Sequence, residues 1–440
     1  MRKEESKSVT IQELKLKDIK VTLTYIKTII NSDKIQTLLV KPFFELKDIS
    51  DYRSYLKSLM GIKTVSSEEE KDLQLAKGDV AIQLCGEIYL LPVQQTRVDS
   101  VNEATVETTI QGPRFAFTEN LIANLNILRS RYQNPHLTVE VQTLGEMSNM
   151  DAAVIYDKTV VNSAVLDIVM KKLEEIDEPI VETTEKLQNI FTDGRRTLFP
   201  VSITTERPDR VVYNIAQGKV VIFINGSPFA LIAPAVFWDF LTSMDDLYQT
   251  YWVSQFFRSL RFLGLLIGLV LPALYVGIVS YNPELLRSQL AISITASRQG
   301  VPYPSFIEVL FMLIMMELLV EASIRLPKAI SSTATTVGGL ILGQAATEAS
   351  LVSNIMIIIV AAVAISNFSI PLNQMSYAIR IIKYVLLIFG TLYGLIGLAV
   401  GLVTLTFYLT SISSYGEPYF KIPIQRKPNE LKGVTFQNGE

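Results

Sequence analysis

Apolar residues form long, uninterrupted runs in the second half of the chain. A run of about twenty apolar residues is long enough to cross a bilayer as a helix. Four stretches reach that length, at 260–280, 306–324, 351–372 and 381–409, and we predict a transmembrane helix in each. A fifth stretch, 334–349, is shorter and rich in Gly, Ala and Thr. We predict a re-entrant or interfacial segment there.

Charged residues are scarce in the same half. All 16 Asp residues lie within the first 246 positions, and the only charged side chain between Ser331 and Ile379 is Glu348. Because an Asp at the centre of a bilayer costs roughly 3 kcal/mol, this distribution is typical of a membrane-embedded region that follows a water-soluble one. The overall charged fraction of 19% is therefore an average over two unlike halves.

The topology prediction depends on Lys and Arg, which concentrate on the cytoplasmic side of membrane proteins. The basic residues on which the prediction rests are Arg258, Arg261, Arg325, Lys328, Arg380, Lys383 and the tail residues Lys421, Arg426 and Lys427. Four crossings place all of them inside except Arg380 and Lys383. A fifth crossing at 334–349 would bring that pair inside but would move the basic tail outside. We favour four crossings, and five remain an alternative.

The first half of the chain contains two related stretches. Residues 25–32 read YIKTIINS and residues 156–163 read YDKTVVNS. Residues 78–92 and 218–234 each show an alternating apolar strand, a Gly turn and a second strand, the pattern of a β-hairpin. The predicted fold class is therefore an α/β soluble N-terminal region of two duplicated small subdomains, followed by an all-α transmembrane bundle.

These patterns divide the chain into six parts. They are a charged tail at 1–17, a first α/β subdomain at 18–110, a connecting helical segment at 111–149, a second α/β subdomain at 150–250, a transmembrane domain at 255–415 and a cytoplasmic tail at 416–440. The first twenty residues are charged and lack the apolar core of a signal peptide. We therefore expect the soluble region to lie in the cytoplasm.

The composition argues against catalysis and against cofactor binding. The chain has a single His, His136, and a single Cys, Cys85, too few for a His- or Cys-based metal site. It contains no phosphate-binding glycine loop, no zinc-protease motif and no serine-hydrolase motif. We predict no enzyme activity, no cofactor and no metal. The net charge of −3 gives no sign of nucleic-acid binding.

Several polar or small residues are candidates for a functional role. Intramembrane acids usually face a bundle interior or water, and Glu317 lies well inside the second predicted helix. Gln344, Thr347 and Glu348 end the short fifth segment and could line a polar pore mouth; the alternative is a solvent-exposed loop. The remaining candidates, for subunit contacts, are Arg207, Asp209 and Arg210 around Pro208 and the close-packing pair Gly339 and Gly343. The alternatives are a salt-bridged surface turn for the first set and packing within one bundle for the glycines.

Five stretches together resemble the A subunits of bacterial spore germinant receptors, the GerA family. They read GPRFAFTENLIANLNILRSR, TERPDRVVYNIAQGKVVIFINGSPFALIAPAVFW, RFLGLLIGLVLPALYVGIVSYNPELL, a long segment beginning RQGVPYPSFIEVLFMLIMMELL, and SSYGEPYFKIP. Together they cover most of residues 110–423.

The resemblance implies a function. It suggests an A subunit in the inner membrane of an endospore, beside a transporter-like B subunit and a lipoprotein C subunit. Copies of the A subunit would form a ring that conducts monovalent cations when nutrient binds. In such a ring we expect Val337 and Leu340 to form a gate by dewetting. A non-conducting scaffold or signal amplifier of the same family, and a secondary transporter, are the alternatives.

Overall fold

Two five-stranded antiparallel sheets with the same connectivity occupy the first half of the chain. The computed structural model describes residues 10–16, 19–26, 30, 32–46, 48–65, 67–76, 78–93, 103–108, 111–192 and 197–421. The first sheet contains β1 (Thr10–Leu16), β2 (Ile19–Tyr25), β3 (Lys63–Val65), β4 (Asp79–Leu84) and β5 (Glu87–Pro92). The second contains β6 (Leu137–Leu144), β7 (Met150–Asp157), β8 (Ile203–Thr205), β9 (Val220–Ile224) and β10 (Ala230–Ala233).

The strand orders confirm the predicted duplication. They are β1-β2-β4-β5-β3 in the first sheet and β6-β7-β9-β10-β8 in the second, so each strand has a counterpart five strands later. The two predicted hairpins are β4–β5, where Val80 lies opposite Leu91, and β9–β10, where Ile222 lies opposite Leu231. The predicted fold class is correct for this half of the chain.

Short helices cover the sheets and join the two copies. In the first copy they are α1 (Ser32–Ile35), which continues through a π-helical turn at Gln36–Val40, α2 (Lys41–Glu45), α3 (Ile49–Ser58) and α4 (Glu68–Ala76). Then α5 (Leu121–Arg131) precedes the second sheet. The second copy contains α6 (Ser163–Glu174), α7 (Thr184–Phe191) and α8 (Pro208–Ala216), and 3-10 turns at Phe237–Leu241 and Met244–Leu247 follow it.

Two predicted domain boundaries differ from those in the structure. Residues 10–16 of the predicted charged tail form the edge strand β1, because the alternating sequence TIQELKL directs Leu14 into the core. The predicted connecting segment at 111–149 contains β6, the first strand of the second sheet. Residues 1–9 and 422–440, most of the two predicted tails, lie outside the described residues.

The second half of the chain is helical. Its long helices are α9 (Tyr251–Tyr281), α10 (Ser288–Arg298), α11 (Ser305–Arg325), α12 (Lys328–Glu348), α13 (Asn354–Phe368) and α14 (Asn373–Ser411), with a 3-10 turn at Pro283–Leu285 before α10. A two-stranded hairpin of β11 (Ser413–Ser414) and β12 (Glu417–Pro418) follows α14. Two of these helices, α9 and α14, are long and apolar enough to cross a membrane.

Helix α14 is a hairpin of two antiparallel arms. The backbone leaves the helical conformation at Gly394, where φ is +61° and ψ is −139°. Beyond this turn the chain runs back along itself, so that a Cβ built on Gly401 would lie 2.7 Å from Leu386. In a straight helix these two residues would be about 22 Å apart. We call residues 373–393 the first arm and residues 395–411 the second arm.

The hairpin returns the chain to the second sheet. At the start of the first arm, the Thr204 amide lies 3.5 Å from the Gln374 side-chain oxygen. At the end of the second arm, the Tyr408 hydroxyl accepts a hydrogen bond of 3.0 Å from the Leu198 amide. Tyr419, just after β12, is fully buried beside Phe237. We call the end of the bundle that contacts the second sheet the near end and the opposite end the far end.

The other helices alternate in direction between the two ends. Helix α9 begins at the near end, where Arg261 pairs with Asp246, and finishes at the far end, where the Tyr281 hydroxyl donates to the Leu392 carbonyl of the α14 turn. Helix α11 starts beside it, with the Ser305 and Ser280 hydroxyls 2.5 Å apart, and runs to the near end.

Helices α12 and α13 complete the alternation. At the start of α12, Ser331 donates to the Ser323 carbonyl near the end of α11, so α12 returns to the far end. Helix α13 begins there and finishes at the near end, where Ser366 packs against Gly268 of α9. Together with the two arms of α14, six helical segments connect the near and far ends.

The helix predictions need three corrections. The predicted span at 381–409 is the two-armed α14, because Gly394 allows a reversal that the apolar run does not reveal. The short segment predicted at 334–349 belongs to α12, a helix of 21 residues that extends toward its N-terminus through Ser and Thr residues. The predicted span at 351–372 forms a helix of 15 residues, α13.

Candidate functional site in the helical bundle

The predicted pore residues share one exposed face of α12. Val337, Leu340, Gln344 and Glu348 follow one another at spacings of three or four residues, so they lie along one side of the helix. The exposed fractions of Val337 and Leu340 are 47% and 68%. Gln344 donates to the Glu348 carboxylate at 3.0 Å at the far end of the same side. We call this set, with the adjacent Thr347, the α12 stripe.

The opposite side of α12 packs against the same chain. Gly338 and Gly339 lie against Leu319 of α11, and Gly343 lies against Ile357 of α13. Gly339 and Gly343 therefore have packing partners within one chain, and a subunit contact through them stays a prediction. Because these glycines let α12 approach its neighbours closely, they also direct the α12 stripe away from them.

Glu317 binds two cations of α14. Its Oε2 atom accepts a hydrogen bond of 2.7 Å from Arg380 Nε, and its Oε1 atom accepts one of 2.6 Å from Lys383 Nζ. The Lys383 side chain is 2% exposed. A functional role for this intramembrane acid stays a prediction. In the structure, its carboxylate joins α11 to the first arm of α14.

A second buried carboxylate lies at the far end. Glu308 is 1% exposed and accepts hydrogen bonds from the Ser353 amide at 2.6 Å and the Ser353 hydroxyl at 2.5 Å. Arg298 at the end of α10 donates to the same carboxylate at 3.2 Å. Glu308 therefore holds the N-terminus of α13, where an anion is favourable, and ties α10 to the bundle.

The charged turn around Pro208 is internal. Arg207 and Arg210 are 0% and 2% exposed. Arg207 donates to Asp209 at 3.0 Å, while Arg210 donates to Glu107 in the segment between the two sheets at 2.7 Å. Burial acts to lower the pKa of Arg207, but its bond to Asp209 outweighs this and the pKa is raised. Both guanidinium groups are enclosed by their own chain, which favours an internal role, and a subunit contact through this turn stays a prediction.

The sequence could have predicted one of these ion pairs but not the others. Arg380 and Lys383 are cations in an otherwise apolar run, and an intramembrane cation requires a partner, so a pairing with Glu317 could have been inferred. The roles of Glu107, Ser353 and Arg298 had no local signal. Across the described part of the chain, no group of three or more His, Cys, Asp or Glu residues could hold a metal ion.

Comparison with known proteins adds a family assignment. The family model described as Bacillus/Clostridium GerA spore germination protein matches residues 1–438. Spore germination protein KA of Bacillus subtilis (strain 168) is 33% identical over 443 residues, which cover 98% of this chain and 81% of that protein. Spore germination protein GerLA of Bacillus cereus is 36% identical over 320 residues, which cover 73% of this chain and 65% of that protein.

One solved structure also resembles this chain. It is the crystal structure of the N-terminal domain of the A subunit of the Bacillus megaterium spore germinant receptor GerK3, at 24% sequence identity and a TM-score of 0.41. The match covers 53% of this chain and 90% of that one.

Proposed function

Since this chain belongs to the GerA family of spore germination proteins, we propose that it acts as the A subunit of a germinant receptor, in which several copies form a channel for monovalent cations. Its relatives support a role in spore germination as such a subunit. We further propose that the copies assemble, that the assembly conducts cations, and that it lies in the spore inner membrane.

The bundle geometry supports a placement across the membrane. Six helical segments connect the near and far ends, and the 21 residues of α11 rise about 31 Å, close to the thickness of a bilayer core. The α14 hairpin brings Arg380, Lys383 and the tail residue Lys421 to the near end together, so all three would lie on one side of the membrane. By the positive-inside rule, the two sheets would then lie in the cytoplasm, which is the spore core.

The α12 stripe is the observation that carries the channel proposal. Its apolar middle, Val337 and Leu340, is exposed, and polar Gln344 and Glu348 lie toward the far end. An apolar constriction gates by dewetting, and a ring of carboxylates attracts cations. One stripe cannot enclose a pore, but cyclic symmetry would place one copy from each subunit around a common axis.

The family context supplies the partners. An A subunit would work beside a transporter-like B subunit, which would hold the nutrient, and a lipoprotein C subunit. Nutrient binding on the B subunit would then change the packing of α12 in the ring and open it. Gly338 and Gly339, which contact α11 without side chains, give α12 room for this movement.

Cation flux from reconstituted vesicles tests the proposal. We expect potassium release that requires the partner subunits and nutrient. Glu348→Gln should lower the flux at low salt, because it removes the carboxylate that attracts cations. Val337→Ala should raise the flux without nutrient, because it widens the apolar constriction.

Two matched substitutions serve as controls. Glu321→Gln removes an exposed carboxylate on α11 that pairs with Arg325, and Ile396→Ala shortens an exposed apolar side chain on the second arm of α14. Neither should change the flux. If the complete complex releases no cations, the chain is a non-conducting scaffold. If Glu348→Gln and Val337→Ala both behave as wild type, the α12 stripe does not line the pore.

A further inference from the structure

The cluster around Glu317 carries an unbalanced charge. Two cations share one carboxylate, whose two oxygens accept hydrogen bonds from Arg380 and Lys383. Across the residues described in the structure, no other carboxylate contacts either cation. The cluster therefore has a net charge of +1.

This excess charge is largely removed from water. The side chains of Lys383 and Arg380 are 2% and 18% exposed. A charge withdrawn from water without a counterion is costly, so the cluster favours a further anion. Arg380 binds Glu317 through Nε and Nη2, and its Nη1 atom has no partner among the described residues. The guanidinium group thus retains donors for a second acceptor, and phosphate matches their geometry.

The cluster lies where lipid headgroups would be found. Gln374, which contacts the second sheet, precedes Arg380 by about 9 Å along the first arm of α14. The ring of Tyr377 lies 5.7 Å from the Arg380 guanidinium group and the residue is 50% exposed. Half-exposed tyrosines are typical of the membrane–water interface. Ile381, which is 53% exposed, continues this surface toward the membrane interior.

We propose that Arg380 binds the phosphate of an anionic phospholipid from the leaflet on the side of the two sheets, and that the buried charge of Lys383 behind it adds to the attraction. Tyr377 and Ile381, on either side of Arg380 in sequence, are both exposed on the outside of the bundle, which favours a lipid over a free anion. Anionic lipids are concentrated in the cytoplasmic leaflet and are attracted to basic residues between transmembrane helices. This inference rests on the membrane placement proposed above.

Native mass spectrometry of the purified full-length protein, after incubation with phosphatidylglycerol or phosphatidylcholine, tests the site. We expect phosphatidylglycerol to be retained in preference to phosphatidylcholine. Arg380→Gln should lower its retention about fivefold, the factor that one basic residue near a membrane surface contributes. Arg325→Gln makes the same substitution at the same end of the bundle, in an exposed and already neutral pair with Glu321, and should leave retention unchanged.

A second variant separates binding from structural damage. Glu317→Gln breaks the same ion pairs as Arg380→Gln but leaves both cations, so it should retain phosphatidylglycerol at least as well as wild type. Loss of the lipid from Glu317→Gln, or an equal loss from Arg380→Gln and Arg325→Gln, would overturn the proposal. Displacement of the lipid by inorganic phosphate would also overturn it. Extraction of the protein from membranes by alkaline carbonate would instead refute the membrane placement.

Discussion

The two sheets share a strand order but differ in what their cores contact. The core of the second sheet is continuous with the bundle, since Phe240, Leu269 and Met375 belong to one apolar cluster. The core of the first sheet, which includes Tyr52 and Tyr89, is closed within that subdomain. The second copy therefore forms the base of the helical bundle, whereas the described core residues of the first copy pack only among themselves.

The segment between the copies is attached to the second one. Glu107 of this segment accepts hydrogen bonds from Arg210 and from Thr205, and the Glu206 carboxylate accepts one from the Glu107 amide. The Tyr248 hydroxyl donates to Asp209 just before α9. These contacts join the segment around Glu107 to the second copy, close to the start of the first long helix. The duplication has thus produced one copy that supports the bundle and one whose described core is separate from it.

Loss of Arg210 should have the largest effect. Arg210→Ala leaves the buried Glu107 carboxylate without its charged partner, which costs about 3–5 kcal/mol. The matched variant in the first subdomain is Arg53→Ala, which breaks an exposed pair with Glu87; such pairs contribute little. Thermal unfolding of the purified protein should show a large fall in Tm for Arg210→Ala and almost none for Arg53→Ala. Similar falls in Tm would show that the buried Arg210–Glu107 pair stabilises the protein no more than the exposed Arg53–Glu87 pair.

Two aromatic truncations should differ in how far their effects spread. Phe240→Ala and Tyr52→Ala each remove a ring from a buried site, at a cost of about 3–5 kcal/mol. Because the second core is shared, Phe240→Ala should raise hydrogen exchange in the second sheet and in α9 together. Tyr52→Ala should raise it in the first subdomain alone. Exchange that spreads from Tyr52→Ala into α9 would contradict the separation of the two cores.

The turn of α14 should tolerate a side chain less well than a turn in the first sheet. Gly394 and Gly86 both have positive φ, +61° and +84°, so alanine at either position adds backbone strain of about 1–3 kcal/mol. A Cβ at Gly394 would also lie 2.8 Å from the Tyr281 ring, whereas a Cβ at Gly86 has nothing within 4 Å. Gly394→Ala should therefore lower Tm more than Gly86→Ala. Equal falls in Tm for the two variants would argue against close packing of the α14 turn on Tyr281.

A pH effect at the end of the matching strands β2 and β7 should occur in the second copy. Burial acts to raise the pKa of the Asp157 carboxyl, but hydrogen bonds from Thr159 and Tyr132 outweigh it and hold the pKa below its ordinary value. The resulting stability is present above the unfolded pKa of about 3.9 and is lost as the pH falls through the lower folded value. The first copy has Ile26 at the matching position of the repeat.

Hydrogen exchange as a function of pH measures this difference. Acidification from pH 5 toward the folded pKa of Asp157 should weaken protection around β7 more than around β2. Asp157→Asn should reduce this dependence, because the amide does not titrate. The prediction fails if Asp157→Asn leaves the pH dependence of β7 unaltered.

The sequence revealed the duplication and the helical half because both depend on local patterns. Alternating apolar residues and Gly turns are repeated in each copy, and long apolar runs need no knowledge of their neighbours. The hairpin in α14 could not be predicted, since closely spaced glycines such as Gly390 and Gly394 also suit a straight, closely packed helix. The partners of Glu308 and Arg210 were equally hidden, because the contacts bring together residues that are distant in sequence.

The central claim is that the α12 stripe lines a cation pathway, and thiol block of cation flux tests it most directly. Cys85 is the only cysteine, so Cys85→Ser gives a cysteine-free background. In reconstituted vesicles with the partner subunits, a charged water-soluble thiol reagent should block nutrient-dependent flux through Leu340→Cys. It should not affect Ile396→Cys, which is 76% exposed on the second arm of α14. Block of Ile396→Cys with full flux through Leu340→Cys would contradict the account.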